Sequence, residues 1–160
     1  MNPYVFIFLI SFVPFFESRY AIVYAYYAGI PFTKAYTVLL LTITIQSVVL
    51  PIVLPYLDYV VTKLSELGIP LFDKLRNFLL NRARKKGEKI KNSTKTYLEL
   101  FSFVAIPLPG TGIYTGALIY YVLGLDKKKT IITLFLGGTV AMTINTLITY
   151  GLLESVFKIL

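Results

Sequence analysis

Apolar positions along the chain fall into four stretches of two kinds. Residues 34–57 and 130–153 are long runs with no charged side chain between their end residues. Each holds 24 residues, about 36 Å as a helix, against a hydrocarbon core of about 30 Å. Both are predicted transmembrane helices, the first with Pro51 as a candidate kink. Residues 1–30 and 97–125 are as apolar but interrupted. The first is cut by Pro14, Glu17 and Arg19, the second by Pro107, Pro109, Gly110 and Gly112. The pieces on either side hold about 10–14 residues, roughly 15–21 Å of helix, too short to cross. Such pieces read as the arms of re-entrant hairpins, whose irregular tips must be enclosed by protein or a water-filled cavity. A Pro-kinked, tilted spanning helix is the other reading of each region. Two prolines and two glycines within six residues end a helix rather than bend it, which favours the hairpin.

The two halves match at an offset of 95 residues: Pro14 falls on Pro109, Ala21 on Gly116, Gly29 on Gly124 and Lys34 on Lys129. With one span per half, consecutive repeats take opposite orientations, the inverted-repeat plan of many transporters. The expected fold is thus an all-α integral membrane protein, a single membrane domain over 1–160. Its first repeat covers 1–57 and its second 97–157, each a re-entrant hairpin followed by a transmembrane helix. Between them, Leu57, Val60, Val61 and Leu64, then Leu71, Leu75, Phe78 and Leu79, follow helical spacing. They predict amphipathic helices lying on the inner interface.

Composition agrees. Hydrophobic residues make up 56% of the chain and its mean hydropathy is +0.71, more than a small soluble core can hide. The net charge of +8 is concentrated. Nine basic residues lie between Lys74 and Lys95, opposed only by Glu88, and the rest of the chain is neutral. A solvated helix face and nucleic-acid binding are the other readings of such a run. In a membrane protein it marks 58–96 as a cytoplasmic segment, with 74–95 meeting anionic lipid headgroups and no nucleic acid implied. Lys127, Lys128 and Lys129 are then inside too, and Lys34 and both termini outside. The chain has neither His nor Cys, which removes Cys nucleophiles, Ser–His–Asp triads, His–Cys zinc sites and disulfides. No enzyme, metal or cofactor is expected. The N-terminus lacks the basic region and cleavage site of a signal peptide and reads as part of the mature chain. Tyr24, Tyr26, Tyr27, Tyr120 and Tyr121 read as interface anchors.

Two motifs carry a resemblance. Glu17-Ser18-Arg19 follows the first break, and Pro107-Leu108-Pro109-Gly110-Thr111-Gly112-Ile113-Tyr114-Thr115-Gly116 forms the second. In both, and over nearly its whole length, the chain resembles the family named putative small multidrug export proteins, a branch of the DedA superfamily. That family follows its Glu-x-Arg with a small residue and then Ala-Ile-Pro. Here Ala21 and Ile22 match, while Tyr20 is large and Val23 replaces the proline. The resemblance implies inverted repeats of re-entrant hairpin plus transmembrane helix, and transport; the expected location is the plasma membrane. Related DedA proteins are associated with flipping polyprenyl-phosphate carriers and other lipids, with ion coupling.

The candidate site follows from these residues. A charge at membrane depth costs about 2.5–3.5 kcal/mol or more, so Glu17 and Arg19 need a partner or a cavity. They either fix the hairpin together or serve transport. Arg19 stays charged and its planar fork suits phosphate, while Glu17 can carry a proton. Pro107, Pro109, Gly110, Thr111, Gly112, Thr115 and Gly116 offer freed backbone donors and hydroxyls, as an anion site or as close helix packing. Gln46 and Asn145 are single amides within the spans, suited first to interhelical hydrogen bonds and second to ligand contact. The leading expectation is a transporter moving an anionic lipid or polyprenyl phosphate between leaflets, with proton coupling. The alternatives are a small multidrug/proton antiporter and a non-transporting scaffold. Whether the chain forms a homo-oligomer stays open.

Overall fold

A computed structural model describes residues 2–14, 16–66, 94–108 and 111–159. The side chains of Arg19 and of residues 57–58, 60–66 and 152–159 lie outside that description, as do Pro109, Gly110 and the basic run from Lys74 to Lys91. Among the described residues there are six helices and no strand. They are α1 (Pro3–Ser11), α2 (Glu17–Tyr27), α3 (Phe32–Glu66), α4 (Thr94–Ala105), α5 (Ile113–Leu123) and α6 (Lys127–Ile159).

Local chemistry sets the boundaries. Asn2 caps α1 by accepting from the Tyr4 amide at 2.9 Å, and Pro3 sits where its missing N–H has no helical partner to lose. The helix stops short of Pro14, and α4 stops short of Pro107. α2 and α5 end in the same way. Gly29 (φ +67°) and Gly124 (φ +60°) take the left-handed conformation that glycine adopts without steric cost. The next amides, Ile30 and Leu125, donate back to the carbonyls of Ala25 and Tyr120 at 3.0 and 3.2 Å. α3 and α6 then begin at Phe32 and Lys127, again 95 residues apart. Asp126 caps α6, accepting from the Lys129 amide at 2.9 Å.

The two long helices run antiparallel. Phe32 meets the Tyr150 ring at 5.6 Å, the Tyr36 hydroxyl lies 3.0 Å from Thr143 Oγ1, and Gly138 faces Ile43. Rising numbers on α3 therefore meet falling numbers on α6. Each contains a 25-residue apolar span, Phe32–Tyr56 and Lys127–Gly151, and only 33% of the most apolar 18-residue stretch of each is buried within the molecule. A soluble core helix of this length would be mostly covered. Here Leu41, Val49, Leu136 and Leu147 face outward, which suits lipid as the solvent.

The short helices fill the space between. α1 packs on α2 and α3, and α4 on α5 and α6. α2 also lies against α6, and α5 against α3, so each half contacts the long helix of the other. Tyr4 lies beside Lys34 at the start of α3, Ser11 is level with Gln46, and the Ile30 carbonyl accepts from Tyr150 at 2.7 Å. The α1–α2 pair thus starts and finishes at the end of the bundle where α3 begins. The α4–α5 pair starts and finishes where α6 begins: the Asp126 amide donates to the Tyr97 hydroxyl at 2.8 Å, while Val104 packs deeper, on Gly137.

Two features differ from expectation. α3 and α6 continue past residues 57 and 153 to Glu66 and Ile159, so the backbone from Leu57 to Glu66 extends α3 instead of forming a separate helix. Charges such as Asp58 end the apolar window but leave the backbone hydrogen-bond ladder intact. Tyr120, expected at the interface, is buried. Pro55 has no N–H to offer the Pro51 carbonyl one turn earlier, and the Tyr120 hydroxyl approaches that carbonyl at 3.4 Å.

Candidate functional site

A helix end leaves carbonyls without helical partners, and at membrane depth these must be satisfied by other groups. At the end of α1 two side chains from other helices reach in. Gln46 of α3 donates through Nε2 to the Ser11 carbonyl at 2.6 Å, and the Tyr114 hydroxyl of α5 donates to the Phe12 carbonyl. The Ser11 hydroxyl turns back to the Ile7 carbonyl. The first break is therefore tied to α3 and α5. The second break is closed internally: the Thr111 hydroxyl lies 2.6 and 2.7 Å from the carbonyls of Ile106 and Leu108.

Glu17 joins the two. It opens α2 with φ +46°, and among the described residues no other non-glycine has a positive φ. That conformation costs roughly 1–2 kcal/mol, and such strain clusters at functional sites. The residue is only 8% exposed. Its carboxylate fills the place where Gly112 lacks a side chain: a Cβ on Gly112 would stand 1.9 and 2.1 Å from the two carboxylate oxygens. The Tyr114 amide points at Oε1 from 3.5 Å, the outer limit of a hydrogen bond. The carboxylate thus sits at the N-terminus of α5, where free amides and the helix dipole favour negative charge. Ser18, also buried, follows it. Glu17, Ser18, Gly112, Ile113, Gly138 and Ala141 surround a cavity of about 10 Å³, room for about one water.

Of the expected site residues, Glu17 and Gly112 meet directly, and Thr111 holds the turn beside them. Pro107 stands in that turn, and Thr115 in the first turn of α5. Gly116 faces elsewhere: a Cβ there would stand 2.6 Å from Val104 and 2.7 Å from Leu134, so its role is close packing. Arg19 lies on α2 with its side chain outside the description, and Pro109 and Gly110 are outside it entirely. Gln46 anchors the first break. Asn145 is not with it: by the Tyr36–Thr143 contact the two amides differ by roughly 18 Å in depth. Asn145 Nδ2 is buried without a hydrogen-bond partner among the described residues.

Sequence reasoning missed Tyr114, Ser11, Ser18, Gly138 and Ala141. Tyr114 lay inside the quoted motif, and its place in the first turn of α5 was a usable signal. The Gly137–Gly138 pair within an apolar span was another. Gly137 receives α4 at Val104, and Gly138 receives Ile113. Among the described residues no cluster of His, Cys, Asp or Glu suits a metal ion. The family model described as putative small multi-drug export protein matches residues 17–144, from the buried glutamate to within α6. No curated protein and no solved structure matches the chain.

Proposed function

The chain belongs to the small multidrug export protein family, and from that premise we propose that it is a membrane transporter gated by Glu17 between its two chain breaks. The breaks are the tips of re-entrant hairpins entering from opposite faces, and the halves form an inverted repeat. The shared 95-residue offset of the long helices and their glycine caps supports this, as does the antiparallel course of α3 and α6. The plan fits the DedA resemblance. It places the basic segment 74–95 and Lys127–Lys129 at the cytoplasmic face of the plasma membrane, and Lys34 outside.

The single observation that carries the reading is Glu17, nine-tenths buried with its carboxylate at the N-terminus of α5. While charged, the carboxylate is held there and keeps the tips together. Protonation removes the charge that the helix end attracts. The contact loosens, and the amides of α5 become free for an anionic headgroup. Arg19 supplies the fixed charge and planar donors that suit a phosphate. The substrate is then an anionic amphiphile, a phospholipid or polyprenyl phosphate, crossing between leaflets with a proton. No nucleophile–base pair is invoked, so the reading is of a transporter and not an enzyme.

A second reading is proton-coupled export of cationic drugs, which the family description favours. In it Glu17 binds the cation directly. The fixed charge of Arg19 two residues away opposes a cation. Leaflet exchange in proteoliposomes separates the two. Fluorescent phosphatidylglycerol should exchange faster than in protein-free vesicles, and ethidium should not be moved by a pH gradient. Ethidium movement without lipid exchange would favour the second reading and refute the first.

A further inference from the structure

A groove of about 150 Å³ opens between α4 and α5, away from the Glu17 junction. Leu100, Phe103, Ile119, Leu123 and Leu125 form its apolar wall, and Glu99, 59% exposed, stands at its rim. Apolar cavities of about this volume admit a benzene-sized group, so several methylenes fit. Its mouth lies at the end of the bundle where α6 begins. Leu125, in the wall, directly precedes Asp126 and Lys127, Lys128 and Lys129. The Lys129 ammonium lies 5.7 Å from the centre of the Tyr97 ring, and Lys95 reaches Glu99 at 4.0 Å. Both lysines are thereby tied to the turn of α4 that edges the groove.

We propose that this groove holds an anionic glycerophospholipid of the adjoining leaflet, with an acyl chain along the apolar wall and its phosphate between Lys95 and Lys129. The charge balance chooses the occupant. Among the described residues beside it, four lysines (Lys95, Lys127, Lys128 and Lys129) oppose Glu99 and Asp126, leaving the rim positive. The Asp126 carboxylate already accepts from the Lys129 amide as the cap of α6. The Lys95–Glu99 pair is exposed, its lysine 85% so, and a pair of that kind is weak enough for a phosphate to displace. Basic pockets between helices at a cytoplasmic face suit anionic headgroups. The groove at the other end, beside Tyr4, Thr33, Thr37 and Val38, has Lys34 as its one cation among the described residues. This lipid is held rather than carried, and the proposal does not depend on transport by the Glu17 junction.

The test is native mass spectrometry of the full chain released from nanodiscs of equal phosphatidylglycerol and phosphatidylcholine. The wild type should retain phosphatidylglycerol about tenfold over phosphatidylcholine. Lys95→Gln with Lys129→Gln should bring the two lipids to near equality, while Lys34→Gln leaves the ratio unchanged. Ile119→Trp, filling the groove, should lose retained lipid of both kinds. The lysine variants are on the surface and keep the test readable should Ile119→Trp fail to fold. Equal retention of the two lipids by the wild type overturns the proposal. So does an equal loss on Lys34→Gln, which points to diffuse electrostatic attraction.

Discussion

Gly112→Ala tests the contact on which the gate rests. The new Cβ would stand 1.9, 2.1 and 2.3 Å from the two oxygens and the carboxyl carbon of Glu17. Glu17 must therefore withdraw its carboxylate. The carboxylate ends a flexible chain, so the steric cost is small and the cost of leaving the N-terminus of α5 decides the outcome. For a charge this deeply buried at a helix end that is about 1–2 kcal/mol. The backbone at Gly112, φ −79° and ψ −171°, is open to alanine, so no conformational strain is added. Alanine also restricts the unfolded chain, which returns about 0.4–1 kcal/mol. The net loss should be about 1 kcal/mol. With Glu17→Ala the space is empty, and Gly112→Ala should then be neutral or stabilising by about 0.4–1 kcal/mol. The cycle thus predicts a coupling of about 1–2 kcal/mol between residues 95 apart in sequence. Reversible unfolding of the four proteins in mixed micelles measures it. Additivity within about 0.3–0.5 kcal/mol would refute the contact.

Other changes probe the rest of the account. Gln46→Leu leaves the buried Ser11 carbonyl without its donor and should cost about 1–3 kcal/mol in the same unfolding assay; an unchanged midpoint would remove Gln46 as the anchor of the first break. Gly137→Ala sets a Cβ 3.0 Å from Val104 Cβ and 3.1 Å from the Phe101 carbonyl, neither of which can rotate away, so it should cost about 1–3 kcal/mol. Gly151→Ala, which meets nothing within 4 Å, serves as its control. With no native Cys, Lys34→Cys and Lys128→Cys should be labelled by an impermeant maleimide from opposite sides of sealed vesicles; labelling of both from one side would overturn the placement of α3 and α6.

Much of the architecture was legible because lipid makes a harsh solvent. Uncharged runs marked the spans, and the apolar windows begin two and three residues before the predicted starts at 34 and 130. Pro14 and the Pro107–Gly112 cluster marked the breaks, since proline withholds an amide that a helix needs. Gly29 and Gly124 marked matching helix ends through the left-handed turn that each makes. The far ends of α3 and α6 were not legible. Charge tells where an apolar window stops, while a helix stops only where its backbone is interrupted. Nor were the meeting partners legible. The Tyr114–Phe12 and Gln46–Ser11 bonds satisfy carbonyls that only the folded breaks leave open, and they join residues 102 and 35 apart. Tyr120 misled for a related reason. An amphipathic ring suits an interface, but it also suits a buried carbonyl left open by a proline in another helix.

The central claim is that the charge on Glu17 keeps the gate closed. Phosphatidylglycerol exchange in proteoliposomes, followed across a range of pH for the wild type and Glu17→Gln, addresses it directly. The wild-type rate should rise as pH falls, because protonation releases the carboxylate from the N-terminus of α5. Glu17→Gln keeps the size and loses the charge, so its exchange should persist and be flat with pH. A folded Glu17→Gln protein whose exchange follows the wild-type pH profile would contradict the account.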